Sequence, residues 1–238
     1  MSNIKLYKDD CLNVLKTLDD NSVDLIVTDP PYRVTSRGGC NTMGGHFKQG
    51  SLTNRGKIFE HNDISPEEYL PQFYRVLKDK TACYVMCNNL NLQEMLNVAT
   101  DCGFHFIKSL IWEKNLKICG TYYMGCFEYI LMFRKGSYQK INFCGTPDLL
   151  NIPIEKLKDE NGNNIHDTEK PIALMRTLIT NSSNRGDLVL DPFMGIGSTI
   201  IASKLDGRDA IGIEMDEKYF TVAKARIDET VESINFFD

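Results

Sequence analysis

The sequence predicts a single α/β domain with a mostly parallel β-sheet, and three observations favour this class. The chain has 238 residues, which suits one domain with a full hydrophobic core. Residues 23–28 and 187–190 are short segments of nearly continuous apolar character, typical of strands that are buried on both faces. Such strand patterns alternate with helix patterns along the chain, as they do in parallel sheets covered by helices.

Helix-capping residues, helix-breaking residues and the period of apolar residues predict where each helix and strand lies along the chain. Residues 65–68, Ser-Pro-Glu-Glu, form a capping box that begins a helix, and Gly103 ends another. Helices are expected over residues 11–18, 65–77, 89–101, 171–181, 198–205 and from 216 onward. Strands are expected over residues 23–28, 82–87, 104–112, 128–133, 187–190 and 210–213.

The composition is that of an ordinary globular protein, with 42% hydrophobic and 25% charged residues. No apolar run approaches the length of a membrane-spanning helix, and residues 1–5 lack the features of a signal peptide. We therefore expect a cytoplasmic protein without a membrane partner. The eight cysteines are scattered, without a Cys-x-x-Cys pair or clustered histidines, so we expect free thiols and no metal site.

Residues 33–60 predict a long basic loop. They contain six glycines and show no sustained periodicity. Although the net charge of the chain is −5, residues 33–59 include no acid. Because phosphate contacts require Lys and Arg, we expect this loop to bind DNA through Arg33, Arg37, Lys48, Arg55 and Lys57.

Residues 113–165 form a second segment with few clear elements, apart from the strand at 128–133. Basic and aromatic residues are interleaved between 107 and 140, which suits contacts to phosphates and to an unstacked base. Aromatic residues in strands more often belong to the core, so we assign about half of these rings to packing. We expect the segment to be an insertion that recognises the DNA target.

Residues 191–198, Asp-Pro-Phe-Met-Gly-Ile-Gly-Ser, follow one predicted strand and begin one predicted helix. Gly195 and Gly197 allow the chain to turn sharply and to approach a ligand closely, with the helix N-terminus directed at that ligand. Glu214 ends the next strand, where its carboxylate can accept hydrogen bonds from ribose hydroxyls. Together these features predict a nucleoside-binding half of a Rossmann-like fold. A hydride-transferring enzyme fits this part of the sequence equally well.

Residues 29–32, Asp-Pro-Pro-Tyr, predict a site for an amine at the carboxyl end of a strand. Two prolines stiffen the backbone and remove amide donors, which leaves the Pro30 carbonyl and the Asp29 carboxylate as acceptors beside Tyr32. An exocyclic base amine is a poor nucleophile, and two acceptors on its hydrogens favour a pyramidal nitrogen with an available lone pair. Tyr32 would stack on the base after it leaves the duplex.

These motifs resemble those of the β class of amino-methylating DNA methyltransferases, in which the catalytic tetrapeptide precedes the cofactor loop. The similarity covers most of the chain. It implies one Rossmann-like domain with a circularly permuted motif order, double-stranded DNA as substrate and S-adenosylmethionine (SAM) as cofactor. The catalytic residues would be Asp29, Pro30 and Tyr32. The cofactor-binding residues would be Asp10, Cys11, Asp29, Thr168, Lys170, Asp191, Phe193, Gly195, Gly197, Ser198 and Glu214.

One segment departs from the family pattern. Residues 166–171, His-Asp-Thr-Glu-Lys-Pro, are similar to the family segment His-Pro-Thr-Gln-Lys-Pro, which lies beside the methionine part of SAM. Asp167 and Glu169 replace the usual Pro and Gln. The resemblance therefore carries over only Thr168 and Lys170 as cofactor-binding residues.

The resemblance favours N6 of adenine as the methylated atom, because Asp in the first position of the tetrapeptide is mostly associated with adenine and Ser with N4 of cytosine. N4-cytosine methylation is the alternative, followed by a catalytically inactive DNA-binding or SAM-sensing protein. Relatives that methylate RNA or a protein glutamine have Asn first and usually place the cofactor loop before the tetrapeptide. A C5-cytosine mechanism requires a thiolate, and the sequence has no Pro-Cys dipeptide. A homodimer and a cognate restriction enzyme are the further partners that the resemblance allows.

Overall fold

The structure is a computed structural model that describes residues 2–31, 64–118, 123–137, 139–166 and 168–232. The strands are β1 (Ile4–Tyr7), β2 (Val23–Thr28), β3 (Leu77–Cys87), β4 (His105–Ile118), β5 (Gly125–Arg134), β6 (Leu149–Asn151), β7 (Leu188–Asp191) and β8 (Asp209–Ile213). The helices are α1 (Cys11–Leu15), α2 (Pro66–Val76), α3 (Leu92–Asp101), α4 (Ile172–Ser182), α5 (Ser198–Leu205) and α6 (Glu217–Glu229).

The strands form one sheet in the order β1-β8-β7-β2-β3-β5-β4-β6. The pairs β1–β8, β8–β7, β7–β2, β2–β3 and β4–β6 are parallel, whereas β5 runs antiparallel to both β3 and β4. The segments that follow β1, β2, β7 and β8 therefore leave the sheet at the same edge. This mostly parallel α/β architecture confirms the predicted fold class.

Helices cover both faces of the sheet. Ile26 belongs to a core cluster with α1, α2 and α3, whereas its neighbours Leu25 and Val27 belong to a cluster with α4. A third cluster joins α5 and α6 to β8 on the α4 side. Leu25, Ile26 and Val27 thus fill both faces of the sheet with apolar side chains, and Asp29 follows at the end of this strand.

Several element bounds match the prediction. β2 spans the predicted residues, and so does α5. At the start of α2 the Glu68 carboxylate accepts a hydrogen bond from the Ser65 amide at 2.8 Å, which is one half of the predicted capping box. Gly103 follows α3 with φ +97°, a conformation that favours glycine.

Other bounds differ for local physical reasons. α1 ends at Leu15 and not at residue 18, and α3 begins at Leu92 because the Asn88 side chain accepts the amides of Leu90 and Asn91 in a turn. The strands β1 and β6 were not expected. Each lies at an edge of the sheet and has four or three residues, too few for a period to be recognised.

The segment 113–165 contributes more to the sheet than expected, because it contains the end of β4, all of β5 and β6. Its role in target recognition stays a prediction. Among the described residues no helix is both long enough and apolar enough to cross a membrane.

Candidate active site

A cavity of about 610 Å³ opens at the edge where β2, β7 and β8 end. Most of the residues predicted for catalysis and cofactor binding line this cavity. They are Asp10, Cys11, Asp29, Pro30, Thr168, Lys170, Asp191, Phe193, Gly195, Ser198 and Glu214. The sheet therefore brings together side chains that lie far apart in the sequence.

Other predicted residues lie elsewhere. Gly197 does not line the cavity; it caps α5 with φ +87°, and a Cβ there would lie 3.1 Å from the Ile227 side chain. Its backbone makes the turn that the motif requires. The remaining predicted positions fall outside the described residues: Tyr32, Arg33, Arg37, Lys48, Arg55, Lys57 and the departing residue Asp167.

Asp29 follows β2 directly, and its two carboxylate oxygens differ in their contacts with the described part of the chain. Its Oδ2 accepts a hydrogen bond from Lys170 Nζ. Its Oδ1 is buried and has no hydrogen-bond partner among the described residues. Burial raises the pKa of Asp29, and the charge of Lys170 opposes that shift. A buried acceptor that forms no hydrogen bond costs free energy, so this atom is suited to a ligand that donates a hydrogen bond.

Lys170 is held from several sides. It also donates to the Thr168 carbonyl at 3.1 Å, and its Nζ lies 3.4 Å from Glu128 Oε2. Burial favours the neutral amine, but Asp29 and Glu128 together raise the pKa of Lys170 above its ordinary value. The sequence predicted Lys170 for cofactor binding, and the structure pairs it with the candidate catalytic acid.

Glu128 and Lys114 extend this pair into a row of alternating charges. Lys114 Nζ donates to Glu128 Oε1 and lies 5.1 Å from the centre of the Trp112 ring. Burial would raise the pKa of Glu128, but Lys170 and Lys114 lower it on balance. Glu128 was not among the residues predicted from the sequence for the site. The available signal was its place two residues before Ile130, on the buried face of a strand.

Asp191 connects the two predicted motifs. Its Oδ1 accepts hydrogen bonds from the Thr28 hydroxyl at 2.7 Å and from the Phe193 amide at 3.1 Å. Burial raises the pKa of Asp191 to about 6. The last residue of β2 is thereby joined to the loop after β7.

Glu214 follows β8 and faces the same cavity. Its two oxygens accept the amides of Gly195 and Asp216 at 3.0 and 2.8 Å. Burial raises the pKa of Glu214 to about 7. Both oxygens keep further lone pairs, so the carboxylate can also accept from a ligand.

Asp10 and Cys11 line the same cavity at the start of α1. The Asp10 carboxylate caps this helix by accepting the Leu12 amide at 2.7 Å. Burial raises the pKa of Cys11 to about 12, so its thiol stays neutral. Cys11 therefore contributes shape to this cavity and no nucleophile.

Glu169, which replaces the usual Gln of the family segment, has a clear role in packing. Its Oε1 lies 2.9 Å from Arg226 Nη2, and its Oε2 accepts the Leu157 amide at 2.6 Å. Arg226 in turn donates to the Ile196 carbonyl at 2.8 Å. The negative charge at position 169 thus joins three segments: the chain near Leu157, α6 and the glycine loop.

Three further observations bear on the predicted chemistry. Among the described residues, no group of three or more His, Cys, Asp or Glu side chains could hold a metal ion. The cysteines within the described ranges are free: Cys11, Cys83, Cys87, Cys102, Cys126 and Cys144. His166 lines the cavity and packs edge-on against Tyr219, with ring centres 4.5 Å apart.

Comparison with known proteins decides the family. A family model described as DNA methylase, for the N6/N4 methyltransferases, matches residues 23–225. The chain belongs to the N6/N4 family of DNA methylases. Type II methyltransferase M.HinfI of Haemophilus influenzae is 31% identical over 94% of this chain and 68% of that protein. M.HpaI of Haemophilus parainfluenzae is 29% identical over 98% of this chain and 77% of that protein.

Solved structures of DNA methylases have the same fold. The complex of M1.HpyAVI with SAM superposes with a TM-score of 0.68 at 24% identity, over 94% of this chain and 99% of that one. PvuII DNA methyltransferase, which is cytosine-N4-specific, gives a TM-score of 0.73 at 17% identity, over 100% of this chain and 89% of that one. At these identities the comparison concerns the fold alone.

The Glu169–Arg226 pair generates a test of stability. Glu169→Ala is expected to destabilise the protein by about 3 kcal/mol, because Arg226 would keep a largely buried charge without its carboxylate. Glu169→Gln should lose less, since an amide oxygen still accepts the Leu157 amide. Urea unfolding measures both, with the exposed Glu229→Ala as control. A Glu169→Ala protein as stable as this control would contradict the role of the pair.

Proposed function

We propose that the protein transfers a methyl group from SAM to N6 of an adenine flipped out of double-stranded DNA, at a specific sequence and by direct in-line attack. The main support for this proposal is the hydrogen bonding of the Asp29 carboxylate. Its Oδ1 is a buried acceptor to which no described residue donates, at a cavity that the cofactor loop also lines. An exocyclic amine supplies the donor that this atom lacks.

The donors and acceptors of the cavity fit SAM. Its volume of about 610 Å³ lies in the range of small-molecule sites. Glu214 can accept hydrogen bonds from ribose hydroxyls, Asp10 and Cys11 would lie near the adenine ring, and Thr168 would face the methionine part. When bound, SAM supplies a methyl group activated by a sulfonium. The M1.HpyAVI–SAM complex, which has the same fold, supports this assignment.

Residues of the tetrapeptide would bind and activate the substrate amine. Asp29 Oδ1 and the Pro30 carbonyl accept the two hydrogens of the amine, which frees the nitrogen lone pair for attack. The nitrogen–methyl bond would form as the methyl–sulfur bond of SAM breaks, with S-adenosylhomocysteine as the leaving group. Positive charge develops on that nitrogen during transfer, and the Asp29 carboxylate stabilises it at short range in a water-poor site. The methylated amine then releases one proton to solvent. Tyr32 holds the flipped base by stacking.

The choice of base rests on Asp29. Asp in the first position of the tetrapeptide favours adenine within the family resemblance. The similarity to a cytosine-N4-specific enzyme keeps N4 of cytosine as the second candidate. Mapping modified bases in the DNA of an expressing host, with an empty-vector control, reports base, position and sequence context together. N4-methylcytosine as the product would replace the adenine assignment.

The DNA is expected to contact two segments. The basic loop at 33–60 would bind phosphates, and parts of 113–165 would contact the bases of the target sequence. A homodimer and a cognate restriction enzyme remain expectations from the family resemblance.

Asp29 provides the first test. Asp29→Ala is expected to lower the single-turnover rate of methyl transfer by about 100-fold or more, because a preorganised acceptor at the developing charge is lost. SAM binding should survive, and it can be followed by calorimetry. Asp24→Asn removes a lysine-paired carboxylate of similar exposure from β2 and serves as control. Activity retained in Asp29→Ala would refute the proposed mechanism.

A second test uses the pH dependence of SAM binding. The pKa of Glu214 is raised to about 7, so the carboxyl is protonated below that pH and loses acceptor capacity. The dissociation constant of SAM is therefore expected to be about tenfold larger at pH 6 than at pH 8. In Glu214→Gln this dependence should flatten at a uniformly weaker affinity. A variant with the wild-type pH profile would exclude Glu214 from the cofactor site.

The basic loop provides a third test. Changing Arg37 or Lys48 to Ala is expected to weaken DNA binding and to reduce the slope of log affinity against log salt by about one. Lys5→Ala, an exposed change on the edge strand β1, should leave the slope unaltered. Fluorescence anisotropy at several salt concentrations measures the slope. An unchanged slope in both loop variants would remove these residues from the interface.

A further inference from the structure

Glu128 lies beside the Asp29–Lys170 pair without lining the cavity. Its Oε2 is 3.4 Å from Lys170 Nζ, and its Oε1 accepts Lys114. The four side chains are only 6–19% exposed, so water screens their charges weakly. Two carboxylates and two ammonium groups alternate, and their formal charges sum to zero.

The charge of Lys170 opposes the role proposed for Asp29. In the proposed reaction, positive charge develops on an amine that is bound to Asp29 Oδ1. The Lys170 ammonium is already bound to Oδ2 of the same carboxylate. An ammonium in this position weakens the attraction between the carboxylate and the developing cation. A negative charge behind Lys170 restores that attraction.

Glu128 supplies this charge from fixed geometry. It projects from β5 opposite Trp112 of β4, and the Lys114 that holds it is next to the same Trp112 ring. Trp112 is itself fixed by a hydrogen bond from its ring nitrogen to the Ile152 carbonyl at 2.7 Å. Lys170 is thus drawn toward Glu128 as well as toward Asp29, and its hydrogen bond to the Asp29 carboxylate is to Oδ2.

We propose that Glu128 is a positioning residue for methyl transfer, which acts through Lys170. It holds the Lys170 ammonium on Asp29 Oδ2, balances its charge, and so keeps Oδ1 available as an acceptor for the substrate amine. This inference rests on the proposed function and adds to it a residue that does not contact substrate or cofactor.

The test separates the rate of the chemical step from binding. In Glu128→Gln the single-turnover rate on host-derived or plasmid DNA is expected to fall by about tenfold or more, because a small displacement in the reacting geometry slows the reaction strongly. SAM affinity should stay within about twofold, since Glu128 does not line the cavity. A rate equal to that of the wild type would overturn the proposal, and so would a parallel loss of SAM affinity.

The double variant Glu128→Gln/Lys114→Gln tests the charge balance. Glu128→Gln alone leaves two ammonium groups and one carboxylate, whereas the double variant restores a formal sum of zero. It is therefore expected to be several times faster than Glu128→Gln. A double variant no faster than the single one would overturn the charge-balancing role, because a merely structural defect would be deepened by the second change.

Two further variants keep the test decisive. Asp24→Asn removes a carboxylate that is 19% exposed and paired with Lys78 at 2.7 Å, compared with 18% exposure for Glu128. It should retain the wild-type rate. If Glu128→Gln does not fold, Glu128→Asp carries the test: a reduced rate with unchanged SAM affinity supports the proposal, and a wild-type rate overturns it. Failure of the proposed function itself is distinguishable, because then the wild-type protein methylates no DNA.

Discussion

The hydrogen bond from the Thr28 hydroxyl to Asp191 Oδ1 joins two parts of the chain that are 163 residues apart. It depends on the parallel pairing of β2 with β7, which places the ends of both strands at one edge of the sheet. Both groups are buried, so the bond is protected from competing water. This contact fixes the position of the candidate catalytic acid relative to the glycine loop, because Asp29 directly follows β2 and the glycine loop directly follows β7.

The same arrangement explains which parts could be predicted from the sequence. The apolar run of β2 and the glycine turn before α5 are local signals, and both elements have the predicted bounds. The motifs at the ends of β2, β7 and β8 meet because parallel strands share an edge, and residues from all three line one cavity. The edge strands β1 and β6 were missed because three or four residues do not establish a period.

The charged partners could not be predicted in the same way. Glu128 follows an alternating pattern that shows its face of the strand, but the pattern does not reveal that Lys170, 42 residues later, lies across from it. Glu169 looked like a departure from the family segment, and only its contact with Arg226 explains the acid. Ion pairs depend on distances between elements, whereas periodicity describes one element at a time. Tyr32 and the basic loop lie outside the described residues, so their assignments rest on the sequence alone.

The pairing of β4 with β5 has a consequence for how a target sequence could be distinguished. Glu128 of β5 pairs with Trp112 of β4, and Lys114 lies two residues further along β4. A ligand that shifts β4 against β5 would therefore move both charged residues behind Asp29, although neither lines the cofactor cavity. Under the proposed role of Glu128, such a shift would change the rate of methyl transfer more than the affinity for SAM, so correct and incorrect DNA sequences would be distinguished at the chemical step.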